Sequence, residues 1–218
     1  PYKKKDQYVE YYINKNILDK ETDKMWHLIF MDVLILIYQE LLKKASGEES
    51  NYFKSILDGV KMEQLNKQRI LEVHKKTAKA IESGKGPFFA SVYDEKGNIV
   101  AEAANSVVED KCPVYHAEVN AVRATCKALN TYDLAPYNLS IYINAEPCIM
   151  CVGAIMWSGI KHVYYGVPSK RVEEITGFDE GFKPNWHEEF AKRGITVEGD
   201  IEVEAGEKVL ESYVNSGK

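Results

Sequence analysis

Two short segments constrain the fold of this 218-residue chain more than any other feature. His116-Ala117-Glu118 offers an imidazole, and Pro147-Cys148-Ile149-Met150-Cys151 offers two thiols farther along the chain. Imidazole and thiolate groups are zinc ligands, and three of them leave the fourth position of a tetrahedral site open for water. The fold must therefore bring both segments together around one Zn²⁺, with the Glu118 carboxylate beside it as a non-ligand.

A closed structural zinc site is the alternative interpretation of the same residues. It needs a fourth Cys or His, and the cysteines that remain are Cys112 and Cys126. Cys112 precedes a proline in a predicted loop, and Cys126 lies on the apolar stripe of a predicted helix, where a free cysteine behaves as a small apolar residue. Glu118 would also have no role in a closed site, so we favour the open, catalytic one.

The charge balance argues against a nucleic-acid partner. The chain has 28 basic and 33 acidic residues, a net charge of −5, so no overall positive field attracts phosphates. The segment from Ile195 to Glu211 carries six acidic residues against Lys208 alone. Lys3-Lys4-Lys5 is followed at once by Asp6, and we interpret it as a solvated terminus.

Neither a membrane span nor an oxidising compartment is expected. The longest apolar run, Leu28–Ile37, is interrupted by Asp32 and is shorter than the roughly 20 residues that a membrane helix needs. The start of the chain lacks the pattern of a secretory signal. A zinc site with two thiolates suits a reducing compartment, so we predict a cytoplasmic protein without a membrane partner.

Residues 1–65 are predicted to form a helical appendage of unknown role. Its first helix runs from about Asp23 to Lys44, capped by Asp19 or Thr22, and a second covers Tyr52–Leu65 after a break at Gly47. The first helix is apolar almost all round, so we expect it to be buried against the next domain or against a partner chain.

Residues 66–218 are predicted to form an α/β domain. The pattern gives a helix, a β-hairpin, the helix that carries His116, a strand, the helix that carries the cysteines, and another strand. This order predicts a mixed sheet with helices on its faces. The predicted elements are Gln68–Glu82, Phe88–Tyr93, Ile99–Ala104, His116–Leu129, Leu139–Asn144, a helix that holds Cys148 and Cys151 in its first turn and continues through Val152–Trp157, and Lys161–Gly166.

The proposed site has the parts of a hydrolytic deaminase. A zinc ion lowers the pKa of its bound water, which can then attack an amidine-like carbon of a nucleobase. Glu118 can take the proton from that water and return protons to the ring nitrogen and the departing amine. The pattern H-x-E followed by P-C-x-x-C is typical of zinc deaminases that act on nucleobases.

From Gly86 to the C-terminus the chain resembles the cytidine-deaminase superfamily, most of all its bacterial guanine deaminases. The segments that carry the resemblance are Gly86-Pro87-Phe88, Asn105, His116-Ala117-Glu118, Ala145-Glu146-Pro147-Cys148-Ile149-Met150-Cys151, Gly153-Ala154-Ile155-Met156-Trp157-Ser158-Gly159 and Gly177-Phe178-Asp179-Glu180-Gly181. The resemblance implies a three-layer α/β/α fold with a mixed sheet, and hydrolysis of guanine to xanthine and ammonia. It also implies a homodimer, with C-terminal segments that the two copies could exchange.

The resemblance further implies residues that contact a purine. Asn105 is similar to the family's purine-contacting Asn, and Phe88 and Trp157 would be apolar walls of the base pocket. Asp179 and Glu180 fall in the loop that meets the 2-amino edge of guanine, where Glu180 is a candidate second proton shuttle. Taken without the resemblance, Asp179-Glu180 would be interpreted as an exposed acidic turn.

Three other functions remain open from the sequence. One is deamination of guanosine, of a cytosine-type base or nucleoside, or of a triazine. Another is deamination of adenosine in transfer RNA, which the acidic charge disfavours. The third is a non-catalytic zinc-fold interaction protein, and the intact Glu118 argues against it.

Overall fold

The computed structural model describes residues 20–217, and these divide into two compact units between Gln64 and Leu65. The first helix, α1, spans Lys20–Lys44, and α2 spans Gly47–Glu82. Asp19, one of the two predicted caps of α1, and Lys3-Lys4-Lys5 lie outside the described residues.

The prediction of separate helices over Tyr52–Leu65 and Gln68–Glu82 is wrong, because α2 is one continuous helix of 36 residues. Neither a glycine nor a proline stands between the two predicted segments. A helix that has passed its costly first turn gains a hydrogen bond with each further residue, so it continues. The break between α1 and α2 lies at Ala45 and Ser46, and Gly47 begins α2 with a φ of +59°.

The apolar surface of α1 is mostly exposed in this chain, although Met31 is buried. The exposed fractions lie between 39% and 61% for Met25, Trp26, Ile29, Phe30, Val33, Leu36, Ile37 and Leu41. By length and composition alone, the segment Met25–Lys44 is long and apolar enough to cross a membrane. The run Leu28–Ile37 was expected to be too short to span a membrane, and that expectation does not hold for the longer helix that contains the run. Core helices of soluble proteins pass the same test, so no membrane assignment follows.

Five strands form a mixed sheet in the second unit, which confirms the predicted sheet. They are β1 (Phe89–Tyr93), β2 (Ile99–Ala104), β3 (Ser140–Ala145), β4 (His162–Val167) and β5 (Thr196–Glu198), in the order β2-β1-β3-β4-β5. The hairpin β1–β2 and the pair β1–β3 are antiparallel, whereas β3–β4 and β4–β5 are parallel.

Helices cover both faces of this sheet, as expected for three layers. They are α3 (Ala117–Leu129), α4 (Ile149–Ser158), α5 (Ser169–Thr176), α6 (Trp186–Ala191) and α7 (Val203–Asn215), together with residues 65–82 of α2. Side chains alternate along β3, so Ile141 and Ile143 join the core with α3 and α4. Tyr142, between them, packs with Ile70 and Val73 of α2 instead.

Candidate metal centre and active site

Three donor atoms converge where α3 and α4 begin. The Nδ1 atom of His116 lies 3.5 Å from Sγ of Cys148 and 3.6 Å from Sγ of Cys151. Tetrahedral zinc with usual Zn–N and Zn–S bond lengths separates its nitrogen and sulfur ligands by about 3.6 Å. The three side chains are therefore spaced as the ligands of a zinc ion.

Two of the three donors stand one residue before the helices to which they were assigned. His116 is the N-cap of α3, and Cys148 is the N-cap of α4, both with extended backbone. Cys151 lies in the first turn of α4 and is fully buried. The amino ends of two helices thus meet at the site, and their partial positive charge favours thiolates there.

The two thiols are strongly coupled. The hydrogen bond from the Cys151 thiol, helped by His116, lowers the pKa of Cys148 to about 4. The same bond, together with burial, raises the pKa of Cys151. The hydrogen bond with Cys148 also raises the pKa of the His116 imidazole. One thiolate is thus ready for a metal cation, and binding the cation would release the proton of the second.

Glu118 is a buried carboxyl group next to the metal donors. It lies in the first turn of α3 and is only 6% exposed. Burial raises the pKa of its carboxyl group, and the negative charge of Cys148 raises it further. The expectation that Glu118 lies beside the metal ligands without being one stays a prediction, and its burial next to Cys148 supports it.

Glu180 comes to the same region from a distant part of the chain. It lies in residues 177–185, which have no regular secondary structure, yet its side chain is only 11% exposed. Burial raises its pKa to about 7, against the attraction of Lys183, and the charges of Cys148 and Glu118 contribute. A second carboxyl group therefore lies within electrostatic reach of the donors His116 and Cys148.

The segments that carry the donors match known proteins. Residues 64–167 match the family model of the cytidine and deoxycytidylate deaminase zinc-binding region. The transfer-RNA-specific adenosine deaminase of Aquifex aeolicus is 38% identical over 108 residues, which are 49% of this chain and 70% of that enzyme. This chain belongs to the cytidine and deoxycytidylate deaminase family. Zinc is accordingly confirmed as the metal that the three donors are positioned to bind.

Two further relatives of this deaminase are guanine deaminases. That of Bacillus subtilis is 39% identical over 102 residues, which are 47% of this chain and 64% of the enzyme's own length. The solved guanine deaminase of Nitrosomonas europaea is 34% identical with a TM-score of 0.65, and the match covers 67% of this chain and 83% of that one. The predicted cytidine-deaminase-like fold is confirmed.

The structure places two of the predicted base-contacting residues side by side. The backbone N–H of Asn105 donates to the carbonyl of Phe88 at 3.0 Å, and the side-chain oxygen of Asn105 accepts from Val107 N at 3.1 Å. The Phe88 ring lies 6.1 Å from the Phe178 ring, which lies 6.1 Å from the Tyr213 ring. An aromatic row therefore runs from β1 to the C-terminal helix of the deaminase.

Trp157 and Asp179 lie on more open surface. Trp157 is 83% exposed, and its six-residue distance from Cys151 puts it about 9 Å farther along α4. Asp179 is exposed, and its Oδ1 accepts a hydrogen bond from Gly181 N at 2.7 Å, which closes a local turn. Their predicted contacts with the base stay predictions.

Sequence reasoning missed a polar cluster behind Glu180. Glu146 directly precedes the Pro-Cys pair, and its carboxylate accepts hydrogen bonds from Ser169 N at 2.9 Å and from Trp186 Nε1 at 3.1 Å. Lys183 lies 3.6 Å from Glu146 and 3.8 Å from Glu180. The available signal was a lysine three residues after the acidic pair of the loop.

Proposed function

We propose that this protein hydrolyses a free purine base, guanine, to xanthine and ammonia. The observation that carries the proposal is a second largely buried carboxyl group, Glu180, whose charge interacts with those of Glu118 and of the donors His116 and Cys148. Hydrolytic deamination of guanine calls for proton transfers at the ring and at the departing amine, and for recognition of a donor-rich edge. Two carboxyl groups with separate positions can divide these tasks.

The Watson–Crick edge of guanine suits a carboxylate. Its N1–H and 2-amino group are adjacent donors, and an ionised carboxylate accepts from both. We assign this contact to Glu180. The walls that we assign to the base are Phe88, supported by the Phe178 ring, and Asn105 at the end of β2. Asp179 and Trp157 would touch the substrate from the open side.

Glu118 and Glu180 carry the protons in the proposed reaction. When zinc is held by His116, Cys148 and Cys151, it lowers the pKa of water toward neutrality. Glu118 takes a proton from the attacking water and gives it to the ring nitrogen. Because the pKa of Glu180 is about 7, its carboxyl group holds a proton in part of the molecules at neutral pH and can pass it to the amine as the C2–N bond breaks. The second proton of the attacking water leaves the C2 hydroxyl as the carbonyl forms and returns to Glu180.

The relatives support this choice without deciding it. The guanine deaminases of Bacillus subtilis and Nitrosomonas europaea have 39% and 34% identity, and the enzyme of Aquifex aeolicus, which acts on transfer RNA, has 38%. Deamination of transfer-RNA adenosine is therefore the second candidate. The net charge of −5 and the acidic C-terminal segment disfavour it, since RNA binding gains most of its affinity from neutralised phosphates.

Ammonia release from a substrate panel tests the proposal. The zinc-loaded protein is incubated with guanine, guanosine, adenine, cytosine, cytidine, a triazine and a transfer-RNA anticodon stem-loop. We expect guanine to give the highest kcat/KM. Turnover confined to the stem-loop would establish the second candidate. Absence of turnover on every member, with zinc bound, would favour a non-catalytic zinc-fold protein.

We also propose that the protein is a cytoplasmic homodimer. The thiolate-rich centre needs a reducing compartment. Trp157 and Phe182 are 83% and 79% exposed, and such aromatic side chains are common where a partner covers a surface. Helix α7 packs against α5 of its own chain, and exchange of this helix between copies would keep those contacts. Solution mass across a concentration series tests the dimer.

A further inference from the structure

Lys183 is a largely buried cation close to Glu180 of the proposed base site. Its side chain is only 16% exposed, although lysine normally keeps its ammonium group in water. The ammonium group donates to the hydroxyl oxygen of Ser169 and lies 3.6 Å from a carboxylate oxygen of Glu146. On its other side it lies 3.8 Å from a carboxylate oxygen of Glu180. One cation thus bridges two carboxylates.

The Glu146 end of this bridge is fixed. Its two carboxylate oxygens accept from Ser169 N and from the indole N–H of the buried Trp186. Its backbone N–H donates to Val167 O at the end of β4, at 2.8 Å. Because Glu146 stands two residues before Cys148, the bridge starts from the same loop that delivers a metal donor.

The Glu180 end needs such support. It lies in residues 177–185, which have no regular secondary structure, and the backbone N–H of Glu180 is held by Glu173 at 3.1 Å. That bond fixes the main chain but leaves the carboxylate free to rotate. A buried carboxylate without a cation would also face the negative charge of Glu146, which costs free energy.

We infer that Lys183 is a positioning residue, which ties the carboxylate of Glu180 to the fixed carboxylate of Glu146 and so aims it at the metal donors. This inference rests on the proposed function, in which Glu180 contacts the base. Lys183 itself touches neither the base nor the metal. Its effect on the reaction passes through the direction and charge of Glu180.

The test compares Lys183→Gln with a matched control in the zinc-loaded enzyme. Arg171→Gln removes another cation that pairs with two carboxylates, Glu174 and Glu207, without touching Glu180. We expect Lys183→Gln to keep its zinc and to lower kcat for guanine roughly tenfold to hundredfold, with a smaller change in KM, as misplacement of a reacting group does. Lys183→Arg should restore part of the loss, and Arg171→Gln should leave kcat unchanged.

A double-mutant cycle separates positioning from general damage. If Lys183 acts through Glu180, Lys183→Gln causes no further loss once Glu180→Gln is present. If the two losses in kcat multiply in the double variant, the inference is overturned. An unchanged kcat in Lys183→Gln alone would also overturn it.

Amide hydrogen exchange provides a readout that does not need turnover. Lys183→Gln should speed exchange in residues 177–185, whereas Arg171→Gln should leave that segment unchanged. If no purine is turned over, the proposed function fails, and the exchange result still decides whether Lys183 holds this loop. Unchanged exchange in Lys183→Gln would overturn the positioning role whatever the substrate.

Discussion

Replacing Glu180 by glutamine should change activity and stability in opposite directions. The substitution keeps the shape of the side chain and removes its charge and its titration. In the proposed mechanism Glu180 accepts hydrogen bonds from guanine and gives a proton to the leaving amine. Loss of a general acid typically costs about 10²–10⁴ in rate, so we expect a kcat for guanine lower by that order.

The stability change follows from the pKa of Glu180. Burial raises this pKa from an ordinary value of 4.5 to about 7, and the side chain is only 11% exposed, so solvent screening is small. The difference corresponds to about 3 kcal/mol. Because the folded state binds the proton more tightly than the unfolded state, this carboxyl group destabilises the fold as pH rises from about 4.5 to 7. Below that window both states are protonated and the cost disappears.

Denaturant unfolding at pH 5 and pH 8 measures this effect. We expect Glu180→Gln to be more stable than the unmodified protein at pH 8, by up to about 3 kcal/mol, and to differ from it less at pH 5. Asp179→Asn is the matched control, since this neighbouring carboxylate is exposed and its removal should matter little at either pH.

Three outcomes would refute this reasoning. An unchanged rate on guanine would remove Glu180 from the site. A variant that stays as unstable at pH 8 as the unmodified protein would mean that Glu180 does not carry the buried charge. Loss of activity with loss of stability would indicate that Glu180 supports the fold rather than the reaction.

Three further predictions concern other parts of the deaminase. Glu118→Ala should keep one zinc per chain and lose turnover, and metal analysis that finds no zinc would make Glu118 a ligand. Burial lowers the pKa of His74 to about 4, so the free energy of unfolding should fall by about 3 kcal/mol as the pH falls from 6.5 to 4. Urea unfolding measures this fall, and it should be absent in His74→Gln. Gly206→Ala should cost about 1–3 kcal/mol, because its Cβ would lie 2.5 Å from both His74 and Val167. Gly153→Ala, which meets nothing within 4 Å, should leave Tm unchanged or raise it.

The metal centre could be predicted from the sequence because few kinds of site use its residue types together. An imidazole, two thiols and an adjacent carboxylate have few joint uses, and their spacing fits two helix starts. Sequence geometry left open how His116 and Glu118 could both serve one site. The structure answers this by placing His116 at the N-cap, where extended backbone directs it differently from the helical Glu118.

The contacts around Glu180 were harder to predict from the sequence, for a physical reason. Lys183 and Glu146 are 37 positions apart in the sequence, and an isolated lysine or glutamate is normally a solvated surface residue. Their pairing depends on how α5, α6 and the β3–α4 loop pack, which periodicity does not reveal. The continuous α2 was missed for another reason. Two apolar patterns were interpreted as two helices, although no residue between them forces a helix to end.

The parts of the site differ in how strongly the fold determines them. The metal donors stand at the starts of α3 and α4, two helices packed on the central sheet, so any change in their geometry would disturb the core. The proposed base contacts at Asp179 and Glu180 lie in an irregular segment held by side-chain contacts, among them the bridge through Lys183. Substitutions in that segment can therefore alter which base fits while the metal centre stays intact. This separation gives a physical basis for relatives of this chain that are named for different substrates, guanine and transfer-RNA adenosine.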